Sequence, residues 1–203
     1  MMNKNERYSI RKYDSIAGAY DTSFDGKFTA KFKQTMLELC VVSDGDKVLD
    51  VGCGNGSLIN AISRKAKTKA YGVDISPNMI EVCKQRYADI DFEISSGEKL
   101  PFDNSIFDML TVCCVLHHLN NPQKFFVEAN RKLTKGGSLI IGEPWFPFGI
   151  RQITDWIVSP LIKAGDNKLF SHRRLKTLFS DNGFIITEIY KKGTKQIIKG
   201  RKS

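Results

Sequence analysis

The stretch that decides the fold covers residues 48–57 and reads Val-Leu-Asp-Val-Gly-Cys-Gly-Asn-Gly-Ser. Its first four residues have the apolar character of a buried strand, and glycine at every second position thereafter predicts a tight turn. Leu58, Ile59 and Ile62 then recur at helical spacing, so the stretch predicts a strand, a glycine-rich turn and a helix. Because glycines let a ligand approach bare backbone, the turn is a candidate binding site.

The residues around this turn indicate the kind of ligand. Ser57 occupies the third glycine position of the dinucleotide fingerprint Gly-x-Gly-x-x-Gly, which argues against a nicotinamide-dependent dehydrogenase. Asp50, just before the turn, would repel a phosphate but suits a cationic ligand. Asp74 ends the second predicted strand, where this topology places a carboxylate that accepts both hydroxyls of a ribose. These features predict a nucleoside that carries positive charge and no phosphate.

Strands alternate with helical patterns along the whole chain, as is typical of a parallel sheet covered by helices on both faces. We therefore predict an α/β fold, a single doubly wound Rossmann-like domain with a mostly parallel seven-stranded sheet and an antiparallel edge strand. The predicted strands cover residues 47–51, 70–74, 92–94, 107–113, 139–142, 184–190 and 195–198.

The predicted domain spans residues 1–203 and divides into four parts. Residues 1–45 form an N-terminal helical cap, 46–143 the cofactor-binding core, 144–171 a lid-like insertion, and 172–203 a C-terminal helix with edge strands. The insertion is richer in large apolar residues than a solvent-exposed loop, so it is interpreted either as a lid over an apolar acceptor or as core packing.

Composition narrows the class of protein further. The chain has 203 residues, of which 41% are hydrophobic and 26% charged, which excludes collagen-like, mucin-like and disordered classes. Its apolar runs fall far short of the ~18 residues of a membrane-spanning helix, and the polar N-terminus lacks the apolar stretch of a secretory signal. We therefore expect a cytoplasmic protein with reduced thiols; its five cysteines contain no Cys-x-x-Cys pair and suggest no metal site.

The net charge of +9 raises the question of an acidic partner. Basic residues crowd residues 191–202 and 64–69. No aromatic side chains interleave with them as a nucleic-acid platform would need, so solvated lysines are the favoured interpretation and a nucleic-acid partner is disfavoured but open.

The motifs together resemble the class I S-adenosylmethionine-dependent methyltransferases. The resemblance is carried by VLDVGCGNGSL (48–58), GVDISPNMI (72–80), GEKLPFDNSIFDMLTVCCVLHHL (97–119) and the Gly136-Gly137 turn. Within that family the chain looks most similar to the ubiquinone and menaquinone biosynthesis group of small-molecule methyltransferases, to which residues 13–21 are also similar.

The resemblance implies S-adenosyl-L-methionine as cofactor and a set of residues that bind it. The glycine loop would contact the methionyl part through its backbone, with Asp50 near the amino group and Tyr20 folded over the cofactor. Asp74 would hold the ribose, while Ser96 departs from the acidic residue usual in the family, so a backbone contact to adenine is expected there. The implied cofactor-binding residues are Tyr20, Asp50, Gly52, Cys53, Gly54, Asn55, Asp74, Ile75, Ser96, Gly97, Glu98 and Cys113.

The implied reaction is in-line transfer of a methyl group to an unidentified small molecule, in which positioning and exclusion of water do most of the work. A base is needed only if the acceptor must lose a proton; the candidates are His117, His118, His172 and Glu143, and the sequence assigns none of them. Two alternatives stay open: an RNA or protein methyltransferase, and a catalytically silent S-adenosylmethionine-binding partner module. The oligomeric state is not specified.

Overall fold

The computed structural model describes residues 4–145 and 169–203, and a single seven-stranded sheet runs through this part of the chain. Its strands are β1 (Lys47–Val51), β2 (Lys69–Asp74), β3 (Asp91–Ile94), β4 (Phe107–Cys113), β5 (Leu133–Pro144), β6 (Phe184–Lys192) and β7 (Lys195–Lys202). The spatial order is β3-β2-β1-β4-β5-β7-β6. Neighbouring strands from β3 to β5 pair in parallel, while β7 pairs antiparallel with both β5 and β6. The predicted fold is confirmed. Strand β6 forms one edge of the sheet, and β7 lies between β5 and β6.

Helices connect and cover these strands. They are α1 (Lys4–Ile16), a first 3-10 helix (Ala17–Thr22), α2 (Phe24–Leu39), α3 (Ser57–Ser63), α4 (Pro77–Arg86), a second 3-10 helix (Leu116–His118), α5 (Pro122–Lys132) and α6 (His172–Asp181). Two of these helices, α4 and α5, begin in the same way. Ser76 and Asn121 cap them, each followed by proline, and their side chains accept hydrogen bonds from backbone N–H groups in the first turn.

The core lies on both faces of the sheet because the strands are buried on both sides. In β4, Leu110 and Val112 belong to one apolar cluster and Met109 and Cys113 to the other, as strand alternation requires. One cluster includes residues of α2, α3 and α4, and the other includes residues of α5 and α6. This division is the doubly wound arrangement.

Strand β5 is longer than the sequence predicted. Leu133 already pairs with Phe107, whereas Ser138 pairs with Met109, so residues 134–137 form an irregularity between two paired stretches. Gly136 has a φ of 76° within it. The glycine pair therefore produces a bulge inside one strand instead of separating a helix from a shorter strand.

Two predictions about chain organisation stay predictions. Most of the predicted lid, residues 146–168, lies outside the described residues. The four-part subdivision is likewise untested, although α1, the first 3-10 helix and α2 do precede β1. Within the described residues, no helix has the length and apolar character needed to span a membrane. All five cysteines are buried with free thiols.

Candidate functional site

A cavity, with about 780 Å³ of empty space when its open mouth is included, lies where the parallel strands end. The chain leaves β1, β2, β3 and β4 on the same edge of the sheet, and the residues that follow each strand contribute to the cavity wall. This is the edge where open α/β sheets bind ligands. The described lining residues are Glu6, Ser9, Tyr13, Tyr20, Thr29, Gly52, Gly54, Asp74, Ile75, Met79, Ser95, Ser96, Gly97, Glu98, Cys113, Cys114, Val115, His118, Leu119 and Asn120.

The glycine loop after β1 forms part of this wall. Gly52 and Gly54 have φ angles of 70° and 55°, a region that side chains other than glycine rarely adopt. A Cβ added to Gly52 would lie 2.3 Å from Val115, and one added to Gly54 would lie 3.8 Å from the Tyr20 ring. The second distance is an ordinary van der Waals contact, so at Gly54 the positive φ favours glycine, whereas at Gly52 a side chain would also collide with Val115.

Asp74 joins the glycine loop to the start of α4. Its Oδ2 accepts a hydrogen bond from the Gly54 N–H at 2.8 Å, and its Oδ1 accepts one from the Ser76 N–H at 2.9 Å. Burial raises the pKa of Asp74, while these backbone donors oppose the increase. Each oxygen still has a lone pair for a ligand hydroxyl, so Asp74 is placed both to shape the loop and to bind.

Nine of the twelve predicted cofactor residues line the cavity, and Asp50, Cys53 and Asn55 do not. Asp50 is 2% exposed and accepts a hydrogen bond from the Thr111 hydroxyl at 2.7 Å. Burial raises the pKa of Asp50 to about 7, so its carboxyl group is partly protonated at neutral pH. Asn55 is fully buried and donates to Asp21 in the first 3-10 helix. Asn55 Oδ1 accepts from the Ser57 N–H at 3.3 Å, so its side chain joins the loop to the start of α3.

Glu98, Tyr20 and Cys114 line the cavity but are also held by neighbouring structure. Glu98 Oε1 accepts from the Asn121 N–H at 2.9 Å, which ties the turn after β3 to the start of α5. Tyr20 is 7% exposed and its hydroxyl lies 3.3 Å from the Thr29 hydroxyl; burial raises its pKa. Burial also raises the pKa of the Cys114 thiol, which is thereby kept neutral.

Sequence reasoning missed the contribution of α1. Glu6, Ser9 and Tyr13 line the cavity, as do Thr29 of α2 and Met79 of α4. Glu6, Ser9 and Tyr13 are spaced three and four residues apart, which places them on one face of the helix. This spacing is the feature of the sequence from which their common face could have been predicted. Periodicity alone does not indicate what that face packs against.

The four candidate bases occupy different environments. His117 Nδ1 lies 2.7 Å from Glu143 Oε2, and Glu143 Oε1 accepts from the Leu116 N–H at 2.8 Å. Glu143 is fully buried and, like His117, absent from the cavity wall among the described residues. His172 lies at the start of α6, away from the cavity, and burial lowers its pKa. His118 alone of these candidates lines the cavity, and its Nε2 is 3.0 Å from the Tyr13 hydroxyl.

The charge of the cavity wall is acidic. Glu6, Asp74 and Glu98 line it, whereas none of its described lining residues is lysine or arginine. The basic residues of β6 and β7 lie elsewhere on the molecule. The electrostatics therefore favour a cationic or neutral ligand over a phosphate.

Comparison with known proteins yields a family match. A family model described as "Methyltransferase domain" matches residues 49–141. The chain is 29% identical over 170 residues to demethylmenaquinone methyltransferase of Thermotoga maritima, covering 81% of this chain and 73% of that protein. It is 32% identical over 141 residues to the enzyme of the same name from Tropheryma whipplei strain Twist, covering 66% of this chain and 58% of that protein.

Solved structures share the fold. Geranyl diphosphate C-methyltransferase from Streptomyces coelicolor A3(2), solved with Mg²⁺, geranyl diphosphate and S-adenosyl-L-homocysteine, superposes with a TM-score of 0.79. The match covers 99% of each chain at 14% sequence identity. At this identity the likeness concerns the fold alone.

Proposed function

Because this chain is a class I S-adenosylmethionine-dependent methyltransferase, we propose that it transfers a methyl group from S-adenosyl-L-methionine to a neutral small molecule bound in the cavity described above. The observation that carries the proposal is the convergence of the glycine loop, Asp74, the turn after β3 and the end of β4 on one cavity. In sequence these four features are separate motifs. Their convergence supports a single ligand that contacts all of them.

The cavity wall supports this choice of cofactor. The glycine loop presents backbone to the cavity at Gly52 and Gly54, and the acidic wall suits the positive charge of a sulfonium and an amino group. S-adenosylmethionine supplies an already activated methyl group, so the chain has to position the acceptor and exclude water.

Individual residues are assigned by their place in the wall. The backbone of Gly52 and Gly54 would face the methionyl part, and the carbonyl of Cys113 its amino group. Asp74 would accept from the ribose hydroxyls, and Ile75 would pack against the adenine. The remaining proposed contacts in the wall are Tyr20, Ser96, Gly97 and Glu98. Cys53 and Asn55 are proposed to contribute to the same loop, and Asp50 to lie near the amino group.

Binding of the cofactor is the first test. Calorimetric titration with S-adenosylmethionine and S-adenosylhomocysteine is expected to give micromolar affinity, and NAD serves as a control that does not bind. Homocysteine release is then measured with a panel of neutral acceptors. Absence of binding to either S-adenosyl compound would overturn the proposal, whereas binding without turnover would favour the partner-module alternative.

The charge distribution supports a small-molecule acceptor over RNA. A polyanion would need lysine or arginine near the transferred methyl group, and the described part of the cavity wall has neither. If RNA were the acceptor, methylation would fall steeply with salt. We expect turnover of the small molecule to change little between low and moderate salt.

We also propose that residues 144–171 act as a lid over the acceptor. The support comes from sequence, since this insertion follows β5 and is rich in aromatic residues. Deleting residues 150–165 is expected to change turnover or acceptor preference while S-adenosylhomocysteine binding persists. Unchanged turnover of every accepted substrate would contradict the lid.

A further inference from the structure

The first two turns of α2 present apolar and basic side chains to solvent. Phe24 is 80% exposed, the largest exposed fraction of any large apolar side chain in the described part of the chain. Its ring stacks on that of Phe28, with 6.2 Å between the centroids. Lys27 and Lys31 are exposed and follow Phe24 by about one and two helical turns, so they lie on the same face of α2. This face therefore combines an apolar side chain with positive charge.

The hairpin between β6 and β7 extends the same surface. The side chain of Lys195 donates to the backbone carbonyl of Lys31 at 3.2 Å, although the two residues are 164 apart in sequence. The Lys195 ammonium also lies 5.5 Å from the centroid of the Tyr190 ring, and Tyr190 packs against the same apolar cluster as Phe28. Lys192, which pairs with Lys195 across the hairpin, is exposed. The fold thus places aromatic rings among lysines that are far apart in sequence.

The surface made by these two elements carries positive charge that no carboxylate neutralises. We call it the basic aromatic face; it consists of Phe24, Lys27, Phe28, Lys31, Tyr190, Lys192 and Lys195. In the described part of the chain, none of its four lysines is in an ion pair with a carboxylate. Asp25, which follows Phe24, is paired with Lys12 at 2.7 Å instead. Lysines clustered beside an exposed aromatic side chain suit the anionic headgroups of a lipid surface.

The basic aromatic face lies at the end of the sheet where the cavity is. Strand β7 begins at Lys195, which pairs with Pro144 at the end of β5. Strand β5 runs parallel to β4, and Cys113 at the end of β4 lines the cavity. Thr29, in the same turns of α2 as the exposed lysines, also lines the cavity. A partner that binds this face therefore lies beside the cavity edge of the sheet.

The aromatic rings favour a membrane over a nucleic acid as the partner. A single-stranded nucleic acid needs open ring faces on which its bases can stack. The Phe28 ring covers one face of Phe24, and the Lys195 ammonium lies over the Tyr190 ring. Phe24 extends into solvent and has no polar group, as expected of a side chain that inserts among acyl chains.

We propose that the basic aromatic face docks the protein on an anionic lipid bilayer. Its four lysines contact negatively charged headgroups, and Phe24 inserts at the boundary between headgroups and acyl chains. Docking is reversible, because a single inserted side chain and a few lysines each contribute only part of the affinity. The docked protein holds the cavity edge of its sheet next to the bilayer. The face lies outside the cavity wall, so this inference does not depend on the proposed methyl transfer.

Sedimentation with lipid vesicles tests the proposal. Vesicles made of equal parts phosphatidylcholine and phosphatidylglycerol are expected to carry the protein into the pellet, whereas vesicles of phosphatidylcholine alone are not. Lys27→Gln combined with Lys31→Gln should weaken partitioning about 25-fold, since each lysine at an anionic surface contributes about fivefold. Phe24→Ala should weaken it about tenfold, because the inserted ring is lost.

The matched controls lie at the opposite edge of the sheet. Lys67→Gln combined with Lys69→Gln removes the same charge at the start of β2, and Ile185→Ala shortens an exposed apolar side chain near the start of β6. These variants should partition within about twofold of the unmodified protein, since charges far from the bilayer are screened by salt. All the substituted side chains are exposed, and circular dichroism checks that each variant retains the fold.

Two results would overturn the proposal from the vesicle data alone. One is equal sedimentation with both kinds of vesicle, and the other is an equal loss of partitioning in the Lys27→Gln, Lys31→Gln variant and in its control at the start of β2. Binding of a single-stranded RNA oligonucleotide by a protein that does not sediment with the vesicles would also overturn it, and would assign the face to nucleic acid.

S-adenosylhomocysteine affinity, measured without vesicles, separates this inference from the proposed function. The affinity should be the same in Phe24→Ala and in the unmodified protein, because Phe24 lies outside the cavity wall. A protein that binds S-adenosylhomocysteine but not the anionic vesicles would contradict only the docking face. A protein that binds the vesicles but not S-adenosylhomocysteine would contradict only the proposed function.

Discussion

At the scale of single residues, Asp74 has two roles that a mutation cannot separate completely. Its carboxylate accepts from the backbone of Gly54 and Ser76, and we propose that it also accepts from the cofactor ribose. Asp74→Ala is expected to weaken S-adenosylhomocysteine binding by about 1 to 3 kcal/mol, because charge-assisted hydrogen bonds are lost and the Gly54 N–H is released. Calorimetry measures the change.

The control for Asp74 is Asp89→Ala, which removes an exposed carboxylate outside the cavity wall and should not change affinity. The affinity of Asp74→Asn for S-adenosylhomocysteine is expected to fall between those of Asp74→Ala and Asp89→Ala. The amide retains one oxygen acceptor, but its N–H donor faces a backbone N–H donor. Unchanged affinity in Asp74→Ala would remove the ribose assignment.

The buried carboxyl group of Asp50 should make the free energy of unfolding depend on pH. Burial raises its pKa to about 7 in the folded protein from 3.8, so between these values the folded state binds a proton that the unfolded state does not. The contribution of Asp50 to the free energy of unfolding is therefore greatest at low pH and falls as pH rises through about 4 to 7. The total change is at most about 4 kcal/mol.

Urea unfolding of the unmodified protein and of Asp50→Asn across this range isolates that contribution. Asparagine has no proton to release and its oxygen can still accept from Thr111, so the variant should gain stability relative to the unmodified protein as pH rises. Parallel pH profiles for the two proteins would show that the Asp50 carboxyl group titrates normally.

At the scale of elements, two helix starts with the same chemistry differ in what they contact. Ser76 and Asn121 both cap a helix that begins with proline, but only the Ser76 hydroxyl also donates to Asp14 of α1. Ser76→Ala and Asn121→Ala are each expected to lower the free energy of unfolding by about 1 kcal/mol. Ser76→Ala should in addition speed amide hydrogen exchange in α1, because it removes one of the contacts that hold α1 over the cavity.

Hydrogen exchange followed by mass spectrometry tests this difference, with Asn121→Ala as the matched control. Both variants should keep slow exchange in β1 and β4, which are buried in the core. If Asn121→Ala speeds exchange in α1 as much as Ser76→Ala does, the Asp14 contact is not what holds the helix.

The helices and strands also differ in how far their contribution to the site could be predicted from the sequence. The glycine loop, Asp74 and the end of β4 are local patterns whose positions follow from the parallel topology, so sequence predicts that they meet. Asp50 precedes the loop, and its place near the cofactor amino group stays a prediction. Its hydrogen bond with Thr111 on β4 joins residues 61 apart in sequence, which no local pattern indicates. The place of α1 depends on contacts to His118 and Ser76 that no local pattern encodes.

At the scale of the whole molecule, the cavity draws on the chain from Glu6 to Asn120, while the described residues from β5 onward extend and cover the sheet. One continuous sheet with both faces packed predicts that the chain unfolds in a single cooperative transition. A ligand that bridges the loop, β2 and α1 binds only the folded state. Binding should therefore stabilise the entire sheet and not only the residues it touches.

Thermal unfolding with and without S-adenosylhomocysteine tests this coupling. At a ligand concentration 100 times its Kd, the free energy of unfolding should rise by about 2.7 kcal/mol, which for a chain of this size moves Tm upward by about 5 to 10 °C. NAD should give no shift, and Asp74→Ala should need more S-adenosylhomocysteine for the same shift. Two separate unfolding transitions, of which S-adenosylhomocysteine shifts only one, would contradict a single folding unit. The cavity wall is built from the ends of strands in one sheet, so a ligand that stabilises the wall must also stabilise those strands.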